Sequence, residues 1–120
     1  MKYTSAFMAK DMILDRTVSV DLFYTDTDWP CLTIDGKVDT GADSCSIDVT
    51  LAEHLCWEVV RHKTVKNAMG RERRAVYRGV AELRGVRFEM EATGTDRSNL
   101  SHSLLVGHDL LKDIVLLEEE

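Results

Sequence analysis

Apolar and polar residues alternate at period two along much of this chain, which is the pattern of half-buried β-strands. The alternation is cleanest over residues 86–92 and is well marked over residues 17–23, where the apolar side chains share one face. Apolar runs over residues 57–60, 76–83 and 104–106 predict three further strands. The pattern therefore predicts a mainly β fold in which one face of each strand lies on a core and the other lies in water.

Turn signals separate these strands. An Asp35-Gly36 pair between apolar runs predicts a β-hairpin, because both central positions of a type I′ turn adopt positive φ. Arg84 and Gly85 predict a second turn between the two longest strands. Residues 114–117 are apolar enough for a last strand. We expect that strand to pair with its mate in a second copy, because a bare apolar edge strand invites association.

Two short helices are also predicted. Thr50 and Glu53 have the Ser/Thr-x-x-Glu spacing of a capping box, and Leu51 and Leu55 lie four positions apart on one helical face. Residues 108–112 follow a glycine and predict about one helical turn. The helices are too short to change the fold class.

The length and composition predict a single soluble domain. The chain has 120 residues, of which 44% are hydrophobic and 30% are charged, close to the averages for globular proteins. One core usually organises about 100 to 200 residues, so residues 1–120 are expected to form one domain. A domain of this size cannot hold a deep cleft between two lobes. Any large active site must therefore be shallow or shared with a partner.

The charge of the chain is acidic but uneven. It carries 15 Lys and Arg residues against 21 Asp and Glu residues, a formal charge of −6. An acidic surface repels phosphate backbones and anionic lipids, so we expect no nucleic acid and no membrane among the partners. Residues 61–74 are the exception, with six basic residues and one acidic residue, a net charge of +5. This basic run is either a solvated face or a surface that selects acidic substrates. Nucleic-acid binding is a third interpretation, which the overall charge disfavours.

The cysteines do not predict a disulfide framework or a metal site. Cys31, Cys45 and Cys56 are an odd number and include no Cys-x-x-Cys pair. We expect reduced thiols, with Cys45 and Cys56 in the core. His54 and His62 add no compact ligand spacing, so neither a metal nor a cofactor is expected. The N-terminus lacks the features of a signal peptide and no apolar run is long enough to span a membrane, which predicts a cytoplasmic protein.

The sequence Asp39-Thr40-Gly41 carries the candidate chemistry. Asp39 supplies a carboxylate where a predicted strand ends. Gly41 lacks the side chain that would obstruct an approaching peptide, and the hydroxyl of Thr40 can tie the loop to a neighbour. Hydrolysis needs a base and an acid together, and the chain contains no second Asp-Thr-Gly or Asp-Ser-Gly. If the chemistry is hydrolysis, the second carboxylate comes from a second copy of the chain.

Two segments resemble the retropepsin-like aspartic proteases. Residues 38–44, Val-Asp-Thr-Gly-Ala-Asp-Ser, resemble the catalytic loop of that family. Residues 104–111, Leu-Leu-Val-Gly-His-Asp-Leu-Leu, resemble its second signature, an apolar strand followed by a glycine and a short helix. The resemblance covers about residues 17–117. It implies a mainly β, small closed retropepsin-like β-barrel with one or two short helices, in the homodimeric acid-protease fold. It also implies an aspartic endopeptidase that acts on peptide or protein substrates as a homodimer and without a cofactor.

The resemblance implies roles for individual residues. Asp39 would be the catalytic aspartate, Thr40 would hydrogen-bond to the other loop across the two-fold axis, and Gly41 would contact the substrate backbone. A water held between Asp39 and its symmetry mate would attack the peptide bond, with the two carboxylates sharing one proton. The substrate-binding residues would be Ala42, Asp43, Ala68, Met69 and Gly70, the last three near the tip of a flap. Structural support would come from Gly107, His108 and Asp109.

A second contact is implied between the two segments. In the family, the acid of the catalytic loop pairs with a basic residue after the glycine of the second signature, which here joins Asp43 to His108. Such a pair would depend on pH, because histidine titrates near neutrality. An alternative function stays open, a catalytically silent retropepsin-like module that dimerises or binds peptides. Residues 1–16 are either part of the fold or a processed segment.

Overall fold

The computed structural model describes residues 17–25, 30–39 and 41–111 of the chain. Within these ranges the chain forms seven strands and a short helix, with one more turn of helical backbone at residues 108–111. In chain order the elements are β1 Thr17–Phe23, β2 Pro30–Val38, β3 Cys45–Asp48, α1 Val49–His54, β4 Glu58–Asn67, β5 Gly70–Leu83, β6 Val86–Thr95 and β7 Leu104–Val106. The mainly β prediction is confirmed, and so are the two short helices.

Six of the strands close into a small barrel. The order of pairing is β1-β2-β7-β3-β6-β5, and β1 pairs again with β5 to complete the ring. Strand β4 lies outside the ring and pairs only with β5 among the described strands. Most neighbours are antiparallel, but β2 with β7 and β3 with β6 are parallel. The closed ring leaves few sheet edges exposed, because each of its strands has a partner on both sides.

The core fills the interior of the barrel with the apolar positions of the alternating strands. In β1, the buried side chains of Val18, Val20 and Leu22 alternate with less buried polar residues, as the period-two pattern predicts. Side chains from β3, β5 and β7 meet them, and the largest of these are fully buried: Ile47, Leu83 and Leu104. Helix α1 packs against this core through Ala52 and through Leu55, the C-cap residue that follows it.

The hairpin predicted at Asp35-Gly36 is wrong, because β2 runs straight through both residues. Gly36 pairs with Val18 of β1, and the chain reverses between β1 and β2 before Pro30. A Cβ atom at Gly36 would lie 3.0 Å from Cγ2 of Val106. The glycine therefore serves a close approach between β2 and β7 rather than a turn.

The second predicted turn is confirmed at Arg84 and Gly85. Both residues have positive φ, 51° and 82°, and they join β5 to β6 with Leu83 paired to Val86. Two consecutive residues of positive φ define the type I′ hairpin turn, whose twist matches that of the flanking strands. The two longest predicted strands are therefore neighbours, as expected.

Two element boundaries differ from the prediction. The N-cap of α1 is Asp48, whose Oδ2 accepts a hydrogen bond from the backbone of Leu51 at 3.4 Å, rather than Thr50. Strand β4 begins at Glu58 but continues to Asn67, well beyond residues 57–60, because pairing with β5 extends it through the basic run. The strand predicted at residues 114–117 lies outside the described residues. No helix in the described ranges has the length and apolar character to cross a membrane.

Candidate active site

Residues 39–44, here called the Asp39 loop, follow directly on β2. The backbone N–H of Asp39 donates a hydrogen bond to the carbonyl of Val106 at 3.0 Å, which ties the start of the loop to β7. The backbone N–H of Gly41 donates to Oδ1 of Asp39 at 3.0 Å, and the N–H of Ala42 donates to the carbonyl of Asp39 at 3.1 Å. The bond from Gly41 orients the half-buried carboxylate, and the two backbone bonds fix the segment that carries it. Thr40 lies outside the described residues.

Gly41 leaves one side of the carboxylate open. The residue is exposed, and a Cβ atom placed on it would lie 3.4 Å from Oδ1 of Asp39. A side chain at this position would therefore contact the carboxylate. The placement agrees with the predicted contact between Gly41 and a substrate backbone, which stays a prediction.

The second signature lies against the Asp39 loop, although Asp39 and Gly107 are 68 positions apart in the sequence. The N–H of His108 donates to the carbonyl of Ala42 at 2.7 Å, and the N–H of Asp109 donates to the carbonyl of Asp43 at 3.2 Å. Gly107 is buried, and a Cβ atom there would overlap the backbone carbonyl of Ser44. The three residues predicted as structural support thus pack on the loop through backbone groups.

The predicted ion pair between Asp43 and His108 is not formed. Both residues are exposed, and among the described residues no hydrogen bond or ion pair joins their side chains. The two segments meet through the backbone instead, because the helical turn begins at His108 and presents its first free N–H groups to the loop carbonyls. Contact between the segments therefore does not depend on the protonation of a histidine.

Cys45 lies buried beneath the loop. Its thiol donates to Oδ1 of Asp109 at 3.3 Å and its sulfur accepts from the N–H of Gly107 at 3.4 Å. Burial, with a smaller contribution from the charge of Asp109, raises the pKa of Cys45 to about 12. The thiol is therefore neutral at physiological pH and acts as a core side chain, as predicted. Cys56 is exposed, so its predicted place in the core is wrong; the residue adopts a φ of 59° where the chain turns after α1.

The predicted flap residues lie at the tip of a long hairpin formed by β4 and β5, here called the flap hairpin. Asn67 pairs with Gly70, which has a φ of 127°, and Ala68 and Met69 form the turn between them. The side chain of Met69 is 96% exposed. The tip thus projects into solvent.

The base of the flap hairpin is fixed by Trp57, which precedes β4. The indole N–H of this buried residue donates to the carbonyl of Phe23 at 2.8 Å. The indole ring covers Gly79 of β5, where any Cβ atom would overlap it. One buried aromatic ring therefore links β1, β4 and β5 below the exposed tip.

Side-chain contacts between the flap hairpin and the Asp39 loop were not foreseen in the sequence. Nζ of Lys63 on β4 donates to Oγ of Ser44 at 3.3 Å. The face on which Lys63 lies cannot be deduced by counting alternate residues from the start of β4, because the pairing with β5 shifts between Val59 and Arg61. Among the described residues, no three His, Cys, Asp or Glu side chains converge as a metal site.

Comparisons with known proteins support the fold but do not identify an activity. No protein-family model matches the chain, and no curated protein matches it. The solution structure of the simian foamy virus (mac) protease is similar with a TM-score of 0.60 and 14% identity, over 87% of this chain and 97% of that one. The crystal structure of a protein of unknown function (DUF785) from Legionella pneumophila is similar with a TM-score of 0.55 and 21% identity, over 82% of this chain and 84% of that one. At these identities the similarity establishes a retropepsin-like barrel.

Proposed function

We propose that this chain is an aspartic endopeptidase whose active site is assembled from two copies. The observation that carries the proposal is the Asp39 carboxylate, held at the end of β2 by the N–H of Gly41 and by the bond from its own backbone to Val106. It stands in a barrel that is similar over most of its length to a foamy virus protease. A fold alone does not define an activity, so this carboxylate and its surroundings support the proposal more directly than the barrel does.

The second carboxylate would be the Asp39 of the other copy. Two carboxylates that face each other at close range cannot both ionise, so the pair holds one proton between them. The ionised half takes a proton from a water that attacks the carbonyl carbon of the peptide bond, and the protonated half donates a hydrogen bond to the carbonyl oxygen. Collapse of the tetrahedral intermediate transfers a proton to the leaving nitrogen. The pair therefore supplies both the base and the acid.

The flap hairpin would cover the bound peptide. Its tip is exposed and its base is fixed by Trp57, which suits a segment that opens to admit substrate and closes to exclude water. Ala68, Met69 and Gly70 would contact the substrate at the tip. Met69 has an unbranched, polarizable side chain that can adapt to different peptide side chains.

The substitution Asp39→Asn tests the proposal. Cleavage of an unfolded protein substrate at mildly acidic pH should fall by about a thousandfold or more, because the base and the acid are both lost. Asp35→Asn is the matched control, since Asp35 is an exposed residue of β2, the strand that precedes the Asp39 loop, and should leave cleavage unchanged. Sedimentation of both variants should show the same dimer as the wild type. Equal cleavage by the wild type and Asp39→Asn would contradict the proposal.

Dilution provides an independent test. If each copy contributes half of the active site, the activity per chain falls as the concentration drops below the dimer dissociation constant. Activity that stays proportional to concentration through that range would contradict a shared site.

A catalytically silent module is the second candidate. It is consistent with the similarity of the barrel to a protein of unknown function, because a fold alone does not define an activity. This candidate predicts a wild type that dimerises or binds unfolded peptides but cleaves none of them at any pH.

A further inference from the structure

Three basic side chains meet a row of hydroxyl groups beside the Asp39 loop. The basic residues are Lys63 of β4, Arg74 of β5 and Arg97, which follows β6; they are here called the cationic cluster. The hydroxyl groups belong to Ser44, Ser46 and Thr95. The cluster thus brings one part of the basic run together with residues that the sequence pattern does not connect to it.

Lys63 joins the cluster to the Asp39 loop. Its Nζ donates to Oγ of Ser44 at 3.3 Å, and Ser44 is the last residue of that loop. The side chain is half-buried, and no carboxylate of the described residues lies within ion-pair distance of its ammonium group. A half-buried ammonium group whose partner is a neutral hydroxyl retains its capacity to bind an anion.

Arg74 lies directly opposite Lys63 in the pairing of β4 with β5. Like charges at directly opposed positions are unfavourable, so this arrangement is not explained by the stability of the hairpin. Nη1 of Arg74 donates to Oγ1 of Thr95 at 3.3 Å, and Nη2 forms an ion pair with Glu72 at 3.1 Å. The remaining group, Nε, is buried and has no hydrogen-bond partner among the described residues.

Arg97 closes the cluster from the side of β6. The residue is buried, and its Nη1 lies 3.5 Å from Oγ of Ser46, which in turn donates to Oγ1 of Thr95 at 3.2 Å. The carboxylate of Asp48 accepts from the backbone N–H of Arg97 at 2.8 Å. Two carboxylates, those of Glu72 and Asp48, contact the three basic residues of the cluster. The cluster therefore has one positive charge in excess.

We propose that the cationic cluster is a specificity subsite that binds the carboxylate of an acidic side chain in a peptide substrate. The proposal rests on the proposed function, since the substrate is the peptide cleaved at Asp39. Lys63 contacts the Asp39 loop at Ser44, five positions after the proposed catalytic carboxylate, so a peptide bound along the loop would pass beside its ammonium group. Charge-assisted hydrogen bonds from an ammonium and a guanidinium group suit a carboxylate better than a neutral amide.

The subsite involves one face of the flap hairpin and not the whole basic run. Lys66 lies three positions after Lys63, and Arg73 lies one position before Arg74. Because both offsets are odd, Lys66 and Arg73 lie on the opposite face of the hairpin. Both residues are exposed. The hairpin therefore offers a matched control, in which the same number of charges is removed from the other face.

The test compares three chains on peptide pairs that differ only by Glu or Gln at one position at a time. The wild type should cleave the preferred Glu peptide with a kcat/KM about tenfold above that of its Gln partner, as expected for hydrogen bonds to a charged group. In the double variant K63Q/R74Q this ratio should fall to about one, mainly through KM. In K66Q/R73Q it should stay near the value of the wild type. The charge-conserving variant K63R/R74K should keep most of the preference and shows that the chain tolerates changes at these positions.

Binding separates this proposal from the proposed function. The same peptides are titrated into the Asp39→Asn chain, in which no turnover is needed. Preferred binding of the Glu peptide without cleavage by the wild type would overturn the proposed function and support the subsite. Cleavage by the wild type with no preference for Glu at any position would overturn the subsite and leave the proposed function intact. An equal loss of preference in K63Q/R74Q and K66Q/R73Q would also overturn the subsite, because it would assign the effect to overall charge.

Discussion

The Asp39 loop and the tip of the flap hairpin are held in opposite ways. The loop forms backbone hydrogen bonds to β7 through Val106 and to the helical turn through His108 and Asp109. The tip is a two-residue turn whose Met69 side chain is 96% exposed. A catalytic carboxylate has to be held within about 0.5 Å of its productive position, whereas a flap has to move to admit a peptide. The loop is therefore fixed and the tip is left exposed, as the proposed chemistry requires of each.

The largest loss of stability is expected from Gly107→Ala, because Gly107 packs directly on the Asp39 loop. The added Cβ atom would overlap the carbonyl of Ser44, and the nearest atoms all belong to the backbone of Ser44 and Cys45, so no flexible side chain can move aside. We expect the free energy of unfolding to fall by about 3 kcal/mol, measured by urea denaturation.

Gly85→Ala is the control for this substitution. Nothing lies within 4 Å of a Cβ atom at Gly85, so only its positive φ opposes the change. We expect a loss of about 1 kcal/mol. Equal losses at the two glycines would contradict the tight packing assigned to Gly107.

The second largest loss of stability is expected at the base of the flap hairpin. Trp57→Phe removes the indole N–H and leaves the buried carbonyl of Phe23 without that donor. The expected loss of stability is about 2 kcal/mol. Amide hydrogen exchange in β4 should become faster while exchange at Asp39 and Ala42 stays slow. Uniform acceleration across both regions would show that the base and the loop are one cooperative unit.

A smaller loss of stability is expected at alkaline pH, through the Cys45 thiol that lies buried beneath the Asp39 loop. The folded pKa of Cys45 is about 12 against an ordinary value of 9.0, so folding favours the protonated thiol. This stabilisation is complete below about pH 9 and is lost as the pH rises through the folded value, because the unfolded chain releases the proton first. From pH 8 to pH 10 the wild type should lose about 1.4 kcal/mol more stability than Cys45→Val. Parallel curves for the two chains would contradict a buried thiol at this position.

The smallest effect is expected at the flap tip. Met69→Ala should change the free energy of unfolding by less than about 0.5 kcal/mol, since the side chain is almost fully exposed. In the proposed enzyme it should raise KM more than it lowers kcat. A loss of stability comparable with that of Trp57→Phe would show that the tip is packed, and the contrast with the Asp39 loop would no longer hold.

The period-two alternation predicted the strands correctly where each strand buries one face. The alternation in β1 and β6 was visible because each strand buries one face, and the Arg84-Gly85 turn formed because positive φ at both residues suits a tight hairpin. The prediction failed at Gly36, where the same kind of dipeptide lies inside β2. There the contact with Val106 of a strand 68 or more positions away overrode the local preference for a turn.

The candidate site likewise combines features that the sequence predicted with features that it did not. The residue types of the Asp39 loop and of the Gly107 segment were enough to suggest that they act together, and the fold brings their backbones into contact. The predicted pair of Asp43 and His108 failed, because backbone groups make that contact instead. The position of Lys63 beside Ser44 could not be predicted from the sequence, because the shift in pairing between Val59 and Arg61 depends on the partner strand.

The order of residues is enough to predict the mainly β character of this protein, its single Asp-Thr-Gly loop and the second segment that packs on that loop. Those properties are local, because they depend on the spacing of side chains along a strand and on the residue types in a turn. Three other features appear only in the folded barrel: β2 continues through Gly36, the Asp39 loop rests on β7 and the helical turn, and one face of the flap hairpin meets Ser44. These features depend on contacts between distant segments, which form when the barrel closes and which no local pattern records.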